Sequence, residues 1–430
     1  MGIYGALTTA VTGLRAQSTA LANISGNIAN SQTTGYKRME TSFIDLIPDA
    51  AVGRQIPGAV LAQSRSTNDV RGDIVTSSTG THIALNGTGF FVVAEKTGTS
   101  DGVSQFSDSN YFTRRGDFEL DREGYLVNGA GYYLRGVPVD SKTGNVAGSM
   151  PGMIQISNGL LPAQRTERIN YELNLPEEPA VGLLTVAPTD PDFLEQTIDG
   201  GGTTIYGPNG AARNVQLRWG KTSETPDTWQ LYYQDQAAGG DWAAAPGGSA
   251  VFDVSGSLTP PGQFKINIPA ANLVDPTLSG PEAYNIEINF GARGLTQQAN
   301  ATGRAQVSML DQNGYPAGSF TAVSINDSGR VVASYSNGEQ IELYQVVTAN
   351  FNAENMLKRM DGGVYTATAQ SGEAVISLDG SITGGALETS NTDISEEFTK
   401  LITTQQAYAA GTRIVSTSDE MLQEALNMVR

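Results

Sequence analysis

Apolar residues at the two ends of the chain recur every seven positions. Near the start, Leu7, Leu14, Leu21 and Ile28 keep this interval, with Ile3, Ala10 and Ile24 at companion positions and Gln17 as the gap. Near the end, Ile394, Leu401, Tyr408, Val415, Leu422 and Val429 keep it, flanked by Phe398, Ile402, Ile414, Met421, Leu426 and Met428. A period of seven keeps one stripe of a helix facing another helix. Asn391-Thr392-Asp393 supplies N-cap chemistry for the second helix, and Glu396 and Glu397 suit the positive end of its dipole. The pattern predicts helices over 1–30 and 391–430, about 40 and 58 Å long at 1.5 Å per residue. Taken singly, either reads better as an ordinary amphipathic helix packed on its own domain, since such spacing over a few turns is common. Together, at opposite ends, they favour a coiled-coil pair with seams between subunits, ordered fully only on assembly.

Between the ends the period changes. Asn-Gly occurs at 86, 128, 158, 209, 313 and 337, and Asp-Gly at 101, 199, 361 and 379, each a hairpin signal because both residues tolerate positive φ. Strand candidates include Phe90-Phe91-Val92-Val93, Tyr125-Leu126-Val127, Ile154-Gln155-Ile156, Val331-Val332-Ala333 and 341–347. FELDREGYLVNG (118–129) and VSINDSGRVVASYSNG (323–338) share one plan of strand, Asp or Asn, Gly three later, strand and Asn-Gly. The expected fold is mainly β with long α-helical termini, in a nested multi-domain order. Residues 1–30 and 391–430 form the terminal helical domain, and 31–75 and 381–390 a linker region. A first β domain covers 76–164 and 301–380. A second β-rich domain, inserted at 165–300, holds Trp219, Trp229 and Trp242, and its Gln230-Leu231-Tyr232-Tyr233 suits a half-exposed strand.

Charge narrows the partners. With 44 acidic against 26 basic residues the net charge is −18, which disfavours nucleic acid and anionic membranes. No apolar run reaches the 18 or so residues needed to cross a bilayer, so no membrane insertion is expected. The start, MGIYGALTTAVTGLR, has neither the basic n-region nor the apolar block of a secretory signal, so any export is expected to leave it uncleaved. There is no Cys, which removes disulfides, thiolate metal sites and Cys nucleophiles.

Four stretches carry a resemblance. Residues 6–38, with the Asn27-Ile28-Ala29-Asn30 core, Thr34 and the Gly35-Tyr36-Lys37 ending, resemble the N-terminal signature of the flagellar axial proteins, the rod, hook and hook-associated families. ALNGTGFFVV (84–93) with 111–136 looks like their first β segment, and 385–430 is similar to their C-terminal helix and its approach. GYPAGSFTAVSINDSGRVVASYSNGE (314–339) resembles the hook proteins in particular. Ser25-Gly26 departs from the pattern, which commonly has a second Asn there, and 165–300, where the family varies, adds no match to the resemblance. The resemblance implies an extracellular hook subunit, exported by the flagellar type III apparatus and added beneath a hook cap protein. It would polymerise with itself into a short curved tube that joins the distal rod protein to the hook-filament junction proteins and carries torque. It also implies that the seven-spaced residues make intersubunit seams and that Asn27, Asn30, Thr34, Gly35 and Tyr36 tie helix to β domain, the asparagines as caps and Gly35 through its φ. A bland alternative for 25–38, a helix C-cap and a loop, stands beside this.

Catalytic signals are weak. His82 is the only His, so a Ser-His-Asp triad has one possible centre and a His metal cluster none. Gly87-Thr88-Gly89 and Gly129-Ala130-Gly131 lack a following helix, and Asp121–Gly124 and Asp311–Gly314 lack the closing acid of a calcium loop. No enzyme, cofactor or metal is expected. Two other readings compete. A distal rod protein shares the helical ends but lacks a large insert, and a secreted β-rich carbohydrate-binding protein leaves the terminal repeats without a purpose.

Overall fold

Helix α1 runs from Ile3 to Ala29 and helix α2 from Ile394 to Met428. The computed structural model describes residues 3–46, 59–100, 102–140, 143–148, 150–235, 241–259, 265–269, 285–291 and 294–428. Val429 and the Asp of the 101 turn lie outside these. α1 stops at a polar run where Asn30 turns back, its backbone N–H and its Nδ2 both donating to Gly26 O at 3.2 and 2.9 Å. α2 starts at Asp393, whose Oδ1 accepts from Ser395 N at 2.7 Å and from Glu396 N at 3.3 Å, the expected N-cap.

The chain divides into two compact units, Met1–Asn158 with Thr321–Ser334 and Gln340–Arg430, and Gly159–Phe320 with Tyr335–Glu339. In the first, β1 (Met39–Leu46) and β2 (Ala59–Ser66) form an antiparallel hairpin, from Met39 opposite Ser66 to Leu46 opposite Ala59. β3 (Ile74–Thr76) pairs with Ala386–Glu388, and β4 (Ile83–Leu85) with Ile382–Gly384. Among the described residues, the segments expected as linker, 31–75 and 381–390, are thus about half strand, and the β3 and β4 pairings stitch the approach of α2 to the approach of the β domain. β5 (Phe90–Ser100) then anchors a large sheet. It pairs with Tyr111–Thr113, Tyr132–Pro138 and Thr348–Asn350, so strands on both sides of the insert share one ladder. Phe90 to Ala94 are fully buried on both faces, which explains the unbroken apolar run.

The two similar sequence plans fold into one turn. Asp121 Oδ1 accepts from the backbone N–H of Glu123 and Tyr125, and Gly124 has φ 85°. Asn326 Oδ1 likewise accepts from Ser328 and Arg330, with Gly329 at φ 72°. The side chain occupies the turn's N–H groups, the local bonding that makes Asx residues turn formers.

The second unit has two sheets over a common core. Arg168–Leu175, with alternate residues buried, pairs with Asn285–Asn289, Leu295–Gln297 and Gln306–Gln312. Four antiparallel strands, Ile198–Tyr206, Ala212–Glu224, Asp227–Asp235 and Ala243–Phe252, make the other. Ile169, Tyr171 and Leu173 pack with Trp219, Trp229 and Leu231, and the Tyr171 hydroxyl donates to Gly200 O at 2.5 Å and accepts from Trp219 Nε1 at 3.3 Å. Two expectations change here. Because Gln306–Gln312 hydrogen-bonds to Arg168–Leu175, residues 301–320 fold with the insert and not with the first β domain. Leu231, Tyr232 and Tyr233 are all buried, since the Phe193 ring packs edge-on against Tyr232 at 5.0 Å and covers the outer face.

Candidate assembly site: the paired terminal helices and their buried junction

α1 and α2 lie antiparallel within one chain. Asn27, near the end of α1, meets Glu397 at the start of α2, and Leu14 meets Gly411 further along, where an added Cβ would come within 2.9 Å of the leucine side chain. The seven-residue interval puts Leu7 and Leu21 on the same side of α1 as Leu14. The heptad seam read from the sequence therefore serves, at least in part, the chain's own helix pair. Leu7, Leu14, Leu21, Ile28, Leu401, Val415 and Leu422 are half-buried, while Ile394 and Tyr408 are exposed. None of the nine described positions is sealed.

Apart from Ile24, what is buried is small or polar. On α1 the buried residues are Ala16, Ala20, Ile24 and Asn27; on α2, among the described residues, Glu397 and Ser418. The hairpin covers another side of α1, where Asn23 Nδ2 donates to Thr41 Oγ1 at 2.8 Å and to Ser64 Oγ at 2.9 Å. Large apolar side chains point instead to solvent: Phe398 is 49% exposed, Ile402 53%, Ile414 51% and Met421 54%. Ile394, Phe398 and Ile402 are spaced by four and form one ridge. Ile414 and Met421, seven apart, lie roughly 150° further round the helix at 3.6 residues per turn.

The junction below the helices is polar and closed. Asn27 Oδ1 accepts from Met39 N at 2.9 Å and from the Tyr36 hydroxyl at 3.3 Å, while its Nδ2 donates to Met39 O and to Glu397 Oε2. Asn30 caps α1 and accepts from Thr33 Oγ1; Thr34 sits half-buried in the same turn. Gly35 has φ 66°, and a Cβ there would lie 2.7 Å from the backbone of Arg114, so both conformation and space exclude a side chain. The Arg359 guanidinium stacks over the Tyr36 ring at 4.3 Å.

Sequence reasoning gave no role to the charges at the centre of this junction. Lys37 Nζ donates to Glu388 Oε1 at 2.6 Å and to Val70 O at 2.7 Å, and Arg114 approaches Glu388 Oε2 at 3.2 Å; all three side chains are 1% exposed. Burial pulls the Lys37 ammonium below its ordinary pKa, against the opposing pull of Glu388. Burial also raises the Glu354 carboxyl, with Arg114 working in the other direction. At the surface, hydrogen bonds from Lys400 and Arg38 hold Glu396 below the usual carboxylate range. The signal available in the sequence was Lys37 at the end of the quoted motif, but its partners stand 77 and 351 residues away.

Nothing at the one histidine builds a catalytic site. His82 Nδ1 lies 2.8 Å from Ser77 Oγ, which also accepts from Thr79 N, and its buried Nε2 has no partner. Among the described residues no group of His, Asp or Glu is placed to hold a metal, and no helix is long and apolar enough to cross a membrane.

Four family models match the chain in order. Residues 7–37 match the flagella basal body rod protein, 84–167 the D1 domain of flagellar hook protein FlgE/F/G, 170–315 the FlaE D2 domain, and 383–428 the C-terminal part of flagellar basal body rod FlgEFG proteins. The flagellar hook protein FlgE of Brucella suis biovar 1 is 30% identical over 438 aligned residues, covering 100% of both chains. The chain belongs to the flagellar hook protein family. Hook proteins of Escherichia coli K12 and Salmonella typhimurium are each 29% identical, over 98% and 97% of this chain. The hook protein FlgE2 of Helicobacter pylori shares the fold, with a TM-score of 0.50 at 13% identity over 73% of this chain and 99% of that one. As a hook protein the chain is a structural flagellar component. The rod wording of two models falls on the terminal segments, whereas the D2 match covers the insert up to 315, past Gln306–Gln312, and the full-length relatives are hook proteins.

Proposed function

We propose that this hook protein polymerises with copies of itself, outside the cell, into the short flexible tube that joins rod to filament, and that it has no catalytic role. The observation that carries the reading is the apolar surface left on the helix pair. Ile394, Phe398 and Ile402 on one flank of α2, and Ile414 and Met421 on another, are each 42–54% exposed. Burying the exposed half of such side chains stabilises by on the order of 1 kcal/mol each, several per subunit before ordering costs. Two flanks suit two neighbours, as in a tube whose inner layer consists of helix pairs. The half-buried seven-spaced positions then hold the pair itself, and these ridges, Ile394 among them, join pair to pair.

The β units form the coat. Their cores are closed, and a surface rich in Gly, Ser, Thr and Asn suits hydrated, replaceable contacts in a polymer, as bending requires. The family supports the remaining partners: the distal rod protein beneath, the hook cap during growth, the junction proteins above and the flagellar export apparatus. Electron microscopy of the purified full chain after salting-out tests the reading. Tubes are expected; compact particles at every salt concentration would contradict it.

A further inference from the structure

We propose that Asn27 and Glu397 are the register lock of the terminal helices, positioning residues that select one alignment among several of similar packing. Beside them, the Arg38 backbone N–H donates to Asn391 Oδ1, its guanidinium pairs with Glu396, and Gly35 N–H donates to Glu388 O, but these ties are made by the segments after α1; along the seam itself the helices offer little to fix their register. Leu7, Leu14, Leu21 and Ile28 present nearly the same apolar shape at each heptad step. Opposite them, Thr404, Gly411 and Ser418 follow Glu397 at intervals of seven and are all small. A slide of seven residues exchanges Gly411 for Thr404 or Ser418 against Leu14, and the end of that flexible leucine side chain has to shift to admit the added Cβ, as it would at Gly411 itself.

At Asn27 the same slide is expensive. Every hydrogen-bonding direction of its amide is used: Nδ2 donates to Glu397 Oε2 at 3.0 Å and Met39 O at 2.9 Å, and Oδ1 accepts from Met39 N and the Tyr36 hydroxyl. Asn27 and Glu397 are each 1% exposed, and the other carboxylate oxygen of Glu397 accepts from Lys400 Nζ at 3.3 Å. The slide would bring Thr404, whose hydroxyl donates to Lys400 O, to Asn27 and replace the charged carboxylate acceptor by a shorter, neutral one. Hydrogen bonds to charged groups are the ones whose loss is felt most when the partner stays buried. A polar pair at one seam position specifies alignment in the same way in coiled coils generally. The lock also joins four segments, since Tyr36 and Met39 tie it to the turn and to β1. It rests on the geometry of a single chain and stands or falls apart from the hook reading.

The absence of native Cys makes the register readable by disulfides. Leu14→Cys with Gly411→Cys reports the observed alignment. Leu14→Cys with Ser418→Cys, or with Thr404→Cys, reports a slide of one heptad in either direction. In the otherwise native full chain only the first pair is expected to close under mild oxidation. In Asn27→Leu with Glu397→Leu, which keeps the seam filled but removes the polarity, the shifted pairs are expected to gain about tenfold or more relative to the first. Glu397→Gln, which keeps an acceptor for Asn27, should restore the native preference. Exclusive closure of the 14–411 pair in the apolar double variant would overturn the lock, whatever happens to its thermal stability. So would failure of that pair to close in the native background.

Discussion

The insert and the helix pair treat their apolar residues in opposite ways. In the insert, Ile169, Tyr171, Trp219, Trp229, Leu231, Ile266 and Ile288 are all completely buried between two sheets. Along α2, 35 residues long, the buried positions among those described are a glutamate and a serine, while phenylalanine, isoleucine and methionine face solvent. A single chain completes the first core and does not complete the second. On the proposed reading, that difference separates a folded coat from a connector whose remaining apolar surface is open to other copies.

The comparison can be broken at either end. Phe398→Asp together with Ile402→Asp should abolish tube formation seen by electron microscopy. The thermal transition of the β units should move by less than about 0.5 kcal/mol, because both positions are exposed. Trp219→Ala should do the reverse, destabilising the insert by about 3–5 kcal/mol in denaturant titration while the amide exchange of α2 stays as it was. Gly35→Ala, at positive φ and against the Arg114 backbone, should cost about 1–3 kcal/mol in the first unit and leave the insert's transition in place. The smallest effect is a pH dependence. Glu396 has a folded-state pKa below its ordinary value of 4.5, so its ion pairs stabilise the fold above that value and are lost as the pH falls through the lowered one. Because its side chain is 47% exposed, solvent screening limits the contribution to below about 1 kcal/mol. Glu396→Gln should flatten that part of an acid titration of α2 helicity.

The sequence carried the helices, the strand 90–93 and the Asx turns at Asp121 and Asn326, because each is written in residues close together along the chain. It missed what depends on distant partners. Gln306–Gln312 carries no local mark saying that it pairs with Arg168–Leu175, so the domain edge was drawn too early. The hairpin of β1 and β2 has no Asn-Gly signal and passed for linker. Lys37, Arg114 and Glu388 read as ordinary charged residues, and only the fold shows that they meet away from water. For the seam, the period of seven was legible, but periodicity alone does not distinguish a partner helix of the same chain from one of a neighbour.

Hydrogen exchange on free subunits and on assembled tubes addresses that last distinction most directly. The account predicts that the amides of α2 exchange quickly in the free subunit and at least about tenfold more slowly in the tube, a step of 1.4 kcal/mol or more. Strands of the insert, such as Arg168–Leu175, should be equally protected in both. Equal protection of α2 in the two states would show that its helix is already complete within one chain, and would contradict the account.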